Sequence, residues 1–333
     1  LGRARLAAAL ALIATAITSG AEPRWRLTRQ TRLNFYAAAV AHDADGGSLF
    51  LSSKDGLYSI DLASMRVGGA IAGVSGAGSV AVSPAHGEIY VLALHDDVLR
   101  VVDIASRRVA RTFPAPAGFN VFVDASTSDL YYLRADTPTV RVASRVDGRE
   151  LARITLDGAP SFVLRDPARH RLLVRLADRD LIQVIDTRER AVAVSWPMAS
   201  EGQSAMGLDE RTGRVFASDG RRVVMLDGAS GKPLGRFGAG DAVRSIAVDA
   251  ATGAVEALWG GSRINIARVH DLGIDLQTSV DTHTLVRQLF LDPRSHRLYA
   301  LATADDARRG SDDPNAPAAN ALRVSAILTL EAK

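Results

Sequence analysis

The chain has 333 residues, 47% of them hydrophobic and 23% charged, which is the balance of a globular protein with a buried core. Its 40 basic and 37 acidic residues leave a formal charge of +3, and the arginines are spread along the sequence rather than clustered as nucleic-acid binding requires. Because it has no cysteine, the chain excludes disulfides, thiolate catalysis and cysteine-ligated zinc.

Residues 1–21 have the pattern of a cleaved secretory signal peptide. Arg3 and Arg5 form a basic start, and residues 6–18 form an apolar stretch that is shorter than the ~20 residues needed to span a bilayer. Small residues at 19 and 21 precede the expected cleavage before Glu22. The sequence therefore predicts export to the periplasm or the extracellular space, with residues 22–333 forming a single mature domain.

From residue 42 onward, one pattern recurs seven times: an apolar residue, a short polar turn and an alternating apolar strand. The clearest copies are 82–91, 123–132, 208–217 and 291–300. Equivalent apolar positions follow one another at steps of 40 to 43 residues, at Leu49, Ile89, Leu130, Leu172, Val215, Val255 and Leu298. A period in this range, with several strands in each unit, is typical of β-propeller blades.

Each repeat contains four short strands. The second unit shows them best, at 79–82, 89–93, 98–102 and 108–113, separated by turns rich in Gly, Asp, Ser and Pro. In several units the turn before the outer strand opens with an aspartate, whose side chain can close a short turn by accepting backbone N–H bonds, as at Asp61, Asp103, Asp186 and Asp227. The sequence thus predicts an all-β, seven-bladed β-propeller of four-stranded antiparallel blades.

The two ends of the repeat array predict how the ring closes. The last unit lacks an outer strand, and the unassigned strand-like segment 24–29 precedes a predicted first inner strand at 35–41. We expect segment 24–29 to complete the seventh blade, because a sheet protein must pair its open edges.

Residues 79–113 contain the runs Val-Ala-Val-Ser-Pro, Glu-Ile-Tyr-Val and Val-Leu-Arg-Val-Val-Asp-Ile-Ala-Ser. These runs resemble the YVTN-type β-propeller repeat, and residues 181–187 resemble its third strand. The resemblance covers essentially the whole mature chain and implies a seven-bladed propeller similar to the exported YncE-like proteins. Related propellers include cell-surface modules, DNA binders, lactonases and subunits of redox enzymes, so the resemblance leaves the function open.

Five aspartates are predicted on one face of the ring. In a propeller, the turns from second to third strands and the links from outer strands to the next inner strands surround one mouth of the central channel. The turns between second and third strands carry Asp55, Asp97, Asp136, Asp180 and Asp219. Oxygen-rich loops can hold Ca²⁺, but aspartate and glycine are also what tight turns require, so no metal or other cofactor is predicted.

Three basic residues are predicted at the same channel mouth. Arg244 and Arg287 stand at the approach to inner strands, where a guanidinium can bind a carboxylate or phosphate through two hydrogen bonds. The alternative for both arginines is a salt bridge between blades. His283 lies just before the seventh inner strand and is the histidine best placed for proton transfer or ligand binding.

The seventh repeat contains a polar insertion at 303–321, which we expect to overhang the channel mouth. These features favour an exported binding or scaffold module, expected to be monomeric, that engages a protein or a small polar ligand at the channel mouth. A hydrolase similar to propeller lactonases, using a divalent cation or His283, is the first alternative. A DNA-binding propeller is the second alternative, and the dispersed charge argues against it.

Overall fold

The computed structural model of the chain describes residues 25–332 except 44, 94, 118, 177, 199–204, 239–241, 271–272 and 304–323. Seven four-stranded antiparallel sheets are the blades of a seven-bladed β-propeller, as the sequence predicted. The predicted signal peptide at 1–21 and residues 304–321 of the predicted loop lie outside the described residues. In the part of the chain that is described, no helix is long and apolar enough to cross a membrane.

The 28 strands, numbered in chain order, occupy four positions from the channel to the rim. The inner strands are β2 (Ala39–Asp43), β6 (Ala77–Ser83), β10 (Asn120–Val123), β14 (Pro160–Asp166), β18 (Met206–Leu208), β22 (Val243–Asp249) and β26 (Leu285–Asp292). The second strands are β3 (Ser48–Ser53), β7 (Glu88–Ala93), β11 (Leu130–Leu133), β15 (Arg171–Leu176), β19 (Val215–Ser218), β23 (Ala254–Trp259) and β27 (Arg297–Thr303).

The two remaining positions lie toward the rim. The third strands are β4 (Gly56–Asp61), β8 (Val98–Asp103), β12 (Thr139–Ala143), β16 (Leu181–Asp186), β20 (Val223–Leu226), β24 (Arg263–His270) and β28 (Val324–Ala332). The outer strands are β5 (Arg66–Val67), β9 (Arg108–Pro114), β13 (Glu150–Thr155), β17 (Ala191–Pro197), β21 (Pro233–Phe237), β25 (Gly273–Asp281) and β1 (Trp25–Ala37). Two short 3-10 turns, Pro84–His86 and Pro167–Arg169, follow the inner strands of blades 2 and 4.

Apolar layers fill the space between neighbouring blades. Leu172 and Val174 of β15 are fully buried together with Tyr131 and Val140 of the preceding blade. The second strands have a neighbouring blade on each side, so residues on both of their faces are buried. This is why they read as short continuous apolar runs in the sequence rather than as alternating ones.

The ring closes as predicted, with β1 as the outer strand of blade 7. It pairs antiparallel with β28, from Trp25 opposite Ala332 to Ala37 opposite Val324. The expected boundary between β1 and the first inner strand was wrong. Phe35 and Ala37 belong to β1 because their side chains are buried in the layer between blades 7 and 1, and the inner strand begins only at Ala39.

Aspartates close the turns between third and outer strands, as the sequence indicated. Asp61 Oδ1 accepts the Ser64 backbone N–H at 2.7 Å, and Asp103 Oδ1 accepts that of Ser106 at 2.7 Å. Hydrogen bonds from Ser64 lower the pKa of Asp61, as those from Ser106 lower the pKa of Asp103. These carboxylates hold turns, and their recurrence in several blades reflects a structural need.

A second ring of polar side chains ends the inner strands on the face opposite the predicted site. All seven residues are buried, at 0–6% exposure. They are Asp43, Ser83, Asp124, Asp166, Asp209, Asp249 and Asp292. Asp124 Oδ2 accepts hydrogen bonds from Ser126 Oγ at 2.6 Å, Thr127 N at 2.9 Å and Thr127 Oγ1 at 2.8 Å. The buried carboxylate therefore fixes the whole turn.

Replacing Asp124 by Ala should lower the free energy of unfolding by about 1–3 kcal/mol, because it leaves the Thr127 N–H without its acceptor. Urea unfolding would measure the change. The matched control is Asp147→Ala, since Asp147 is exposed and its Oδ1 accepts the Arg149 backbone N–H at a longer distance of 3.2 Å. Equal losses for the two variants would contradict a specific role for the buried carboxylate.

Candidate binding site at the channel mouth

The five predicted aspartates lie in the turns between second and third strands, each in a different blade. Antiparallel connectivity places these turns at the same end of the ring as the links that lead into the next inner strand. We call this end the channel-mouth face. The structure therefore brings the aspartates to one face, and their hydrogen bonds decide whether they can act together.

Two of these aspartates accept hydrogen bonds from backbone N–H groups. Asp97 Oδ1 accepts the N–H of Ala117, in the link to blade 3, at 2.9 Å. Asp219 Oδ1 accepts the N–H of Arg222 across its own turn, also at 2.9 Å. Both carboxylates are engaged locally, in different blades.

The other aspartates are exposed on their turns. Asp136 Oδ1 is 2.5 Å from Arg134 Nε, and this hydrogen bond is the main cause of the lowered pKa of Asp136. Asp180 acts electrostatically on Arg175, opposing the desolvation that lowers the pKa of that guanidinium. The backbone N–H of Asp55 donates to Ser53 Oγ at 3.3 Å. Among the described residues, no three His, Asp or Glu side chains are grouped so that they could hold a metal ion.

Arg244 and Arg287 occupy the same special position in adjacent blades. The pairing of β22 with β23 passes from Val243 to Ser245 and skips Arg244. The pairing of β26 with β27 likewise skips Arg287. Each arginine is thus the extra residue of a β-bulge, a feature that changes the direction of a side chain and recurs next to binding sites. The equivalent bulges of blades 2 and 4 carry small residues, Gly78 and Ser161.

The turn at Gly261 lies beside these arginines. A methyl group added to Gly261 would stand 3.8 Å from Arg244 Nε and 2.7 Å from Leu285 Cδ1. The Gly261 carbonyl accepts the Val286 N–H at 2.6 Å, and the φ of Gly261 is +100°. Glycine is therefore required here both for its backbone angle and for the close approach of Arg244 and Leu285.

Arg287 and Leu285 are exposed beside this turn. Arg287 Nε donates to Thr303 Oγ1 at 3.3 Å, and Leu285 is 40% exposed. Arg244 is half-buried. We call Arg244, Gly261, Leu285 and Arg287 the bulge patch. It combines two cations, an apolar side chain and a close backbone turn on the channel-mouth face.

His283 stands on the link between β25 and β26. Its side chain is 87% exposed, and its Nδ1 lies 3.6 Å from Asp281 Oδ1. The backbone has a φ of +53° and its N–H donates to Asp281 Oδ1 at 2.9 Å. His283 is thus an exposed turn residue on the channel-mouth face.

Arg165, near the end of inner strand β14, was missed by the sequence analysis. Arg165 is exposed as a whole residue, and its Nη1 donates to the Val123 carbonyl of the neighbouring inner strand at 3.5 Å. Desolvation lowers the pKa of Arg165 against the opposing effects of Asp124 and Glu210. The signal was available, because most blades have an apolar residue just before the polar residue that ends the inner strand.

No family model matches the chain, and no curated protein matches it. A chain of the mitotic checkpoint complex is similar to it with a TM-score of 0.74 and 13% identity, over 99% of both chains. The WD40 repeats of RRP9 give a TM-score of 0.71 and 12% identity over 94% of this chain and 99% of that chain. Hydrazine synthase of Kuenenia stuttgartiensis gives 0.67 and 15% over 81% of this chain and 94% of that chain. At these identities the similarity shows a WD40-like propeller fold alone.

Proposed function

We propose that the chain is a binding propeller that takes an anion-bearing ligand, a protein segment or a small polar molecule, at the bulge patch. The observation that carries this proposal is the placement of Arg244 and Arg287 at equivalent β-bulges of two adjacent inner strands. Blades 2 and 4 have the same bulge without a cation, so the ring itself does not require an arginine there.

The chemistry of the patch supports an anion. A guanidinium binds a carboxylate or phosphate through two parallel hydrogen bonds, and two guanidinium groups from adjacent inner strands suit a ligand with more than one negative oxygen. The exposed Leu285 adds an apolar contact beside the charges. A binding surface built on strands of the rigid propeller also suits a scaffold role, because strands hold side chains in place more firmly than loops do.

We also propose that the protein is exported and related to the YVTN-type, YncE-like propellers. Support for this comes from the basic and apolar composition of residues 1–18 and from the repeat residues at 79–113. Fusing residues 1–30 to a reporter that is active only outside the cytoplasm would test export. A reporter that stays inactive would contradict it.

The binding proposal is tested by titrating citrate and a hexaglutamate peptide into the purified protein in a calorimeter. We expect the double variant Arg244→Gln, Arg287→Gln to bind at least about tenfold more weakly, since a hydrogen bond to a charged group contributes about 1.5–3 kcal/mol. The control is Arg222→Gln, whose side chain is exposed on the same face. Equal affinity of wild type and double variant, or no binding of either probe to wild type, would overturn the proposal.

A further inference from the structure

One residue position is occupied by large side chains in nearly every blade. It follows the apolar repeat position in the second strand, and its occupants are Phe50, Tyr90, Tyr131, Leu173, Phe216, Glu256 and Tyr299. All seven side chains are buried, at 0–3% exposure. At this position five blades have an aromatic ring, blade 4 has Leu173, and blade 6 has the carboxylic acid of Glu256.

Glu256 points into the apolar layer between blades 6 and 7. It pairs with Ala247 on one side and Ile266 on the other. Directly paired residues project from the same face of a sheet, and both neighbours belong to that layer, which also contains Leu298 and Leu330 of blade 7. Glu256 is 0% exposed, and within the described part of the chain neither of its carboxyl oxygens has a hydrogen-bond partner.

Two tyrosines at the equivalent position of other blades donate a hydrogen bond to the next blade, which Glu256 does not do. Tyr131 Oη donates to the Thr187 carbonyl at 3.1 Å, and Tyr299 Oη donates to the Leu62 carbonyl at 3.1 Å. Both carbonyls belong to the turn between the third and outer strands of the next blade. Blade 7 has no such turn, because its third strand β28 and its outer strand β1 are neighbours in the sheet but lie far apart in the sequence. Glu256 therefore faces the junction where the ring is closed without a covalent connection.

Charged groups lie at the edges of this layer. Asp249 lies at the end of β22, and its Oδ2 is 2.9 Å from His296 Nδ1 of blade 7. Arg268 of β24 pairs with Ala254 and is exposed at the rim of the layer. Burial raises the pKa of Glu256 to about 8, and the Asp249 carboxylate contributes to the rise. The acid is therefore neutral at and below neutral pH.

We propose that Glu256 is a proton-controlled latch between blades 6 and 7, which is closed while the carboxyl group is neutral and loosens when the group releases its proton to water. An ionised carboxylate without a partner is costly in an apolar layer, so it draws in water. The layer that loosens lies directly beside the β1–β28 junction. Mildly alkaline pH thus loosens the packing beside the β1–β28 junction, and this effect does not involve the bulge patch.

Tryptophan provides a local reporter of this layer. Trp25 of β1 packs against it, whereas Trp196 packs between blades 4 and 5 and Trp259 between blades 5 and 6. The chain has 3 tryptophans, so incorporation of 5-fluorotryptophan gives one fluorine NMR signal for each. We expect the Trp25 signal to shift with a midpoint near pH 8, while the signals of Trp196 and Trp259 stay constant.

Substitutions identify the titrating group. In Glu256→Gln the transition of Trp25 should vanish, and in the exposed-site control Glu189→Gln it should remain. Glu256→Leu, which copies Leu173 of blade 4, provides a second variant in case the amide disturbs folding. A Trp25 signal that is constant from about pH 6.5 to 9.5 in wild type would overturn the proposal.

A further variant separates the latch from its neighbour. In His296→Gln, the contact with Asp249 is lost but Glu256 remains. The latch requires the Trp25 transition to persist in this variant. Loss of the transition there, with retention in Glu256→Gln, would assign the effect to the His296–Asp249 pair and contradict the role of Glu256.

Discussion

Deleting residues 1–37 is expected to remove the cooperative thermal unfolding of the propeller. The deletion takes away β1, which pairs with β28 along the rim of blade 7 and is the fourth strand of that blade. It also removes Phe35, whose ring stacks on Tyr58 of blade 1 with 3.8 Å between centroids. The exposed edge of β28 and the uncovered apolar layer should promote association. Circular dichroism and light scattering would follow both effects.

A single substitution tests the same closure without shortening the chain. Phe35→Ala should lower the free energy of unfolding by about 3–5 kcal/mol, the usual cost of truncating a buried aromatic ring. The control within the same strand is Leu27→Ala, which should change stability by less than about 0.5 kcal/mol because Leu27 is 43% exposed. A truncated chain that unfolds in one transition at the wild-type temperature would show that β1 is not needed to close the ring.

The repeat and the closure could be predicted because they depend on local patterns. The steps between Leu49 and Leu298 count the blades, and the missing outer strand of the last repeat leaves one segment to fill it. The end of β1 could not be placed, because Phe35 and Ala37 are apolar in either assignment. Their assignment depends on burial against blade 1, which involves residues distant in the sequence.

The candidate site was predicted at the level of the face but not of the contacts. A turn aspartate such as Asp97 is recognisable, whereas its bond to Ala117 depends on how two blades approach each other. Arg244 and Arg287 were placed at the approach to inner strands, but their bulges depend on the pairing register. In a strand with one face on the core and one face in solvent, a glutamate such as Glu256 is expected on the solvent face. Because β23 has a blade on each side, Glu256 is buried instead, so its environment follows from tertiary packing.

Glu88→Ala is expected to lower the free energy of unfolding by about 3 kcal/mol, because Glu88 joins blades 2 and 3. Its carboxylate accepts hydrogen bonds from Arg111 Nη1 at 2.7 Å, from Arg145 Nη1 of the next blade at 2.9 Å, and from Tyr90 Oη. The Glu88 side chain is 13% exposed, so its removal leaves partly buried donors without an acceptor. Chemical denaturation at neutral pH would measure the loss.

The pH dependence of stability distinguishes this network from ordinary surface pairs. Burial alone would raise the pKa of Glu88, but the hydrogen bonds from Arg111, Tyr90 and Arg145 lower it to about 2. A carboxyl group whose folded pKa lies below its unfolded value stabilises the protein above the unfolded pKa, near 4.5. This contribution, about 3 kcal/mol, is lost as the pH falls toward 2.

Wild type should therefore lose stability between about pH 5 and 2 more steeply than Glu88→Gln. The matched control is Glu150→Gln, because Glu150 also contacts two arginines, Arg141 and Arg153, but is 34% exposed. Exposed pairs contribute about 1 kcal/mol or less, so this variant should follow wild type closely. If Glu88→Gln kept the full acid dependence of wild type, the link between blades 2 and 3 would have to come from apolar packing rather than from the carboxylate.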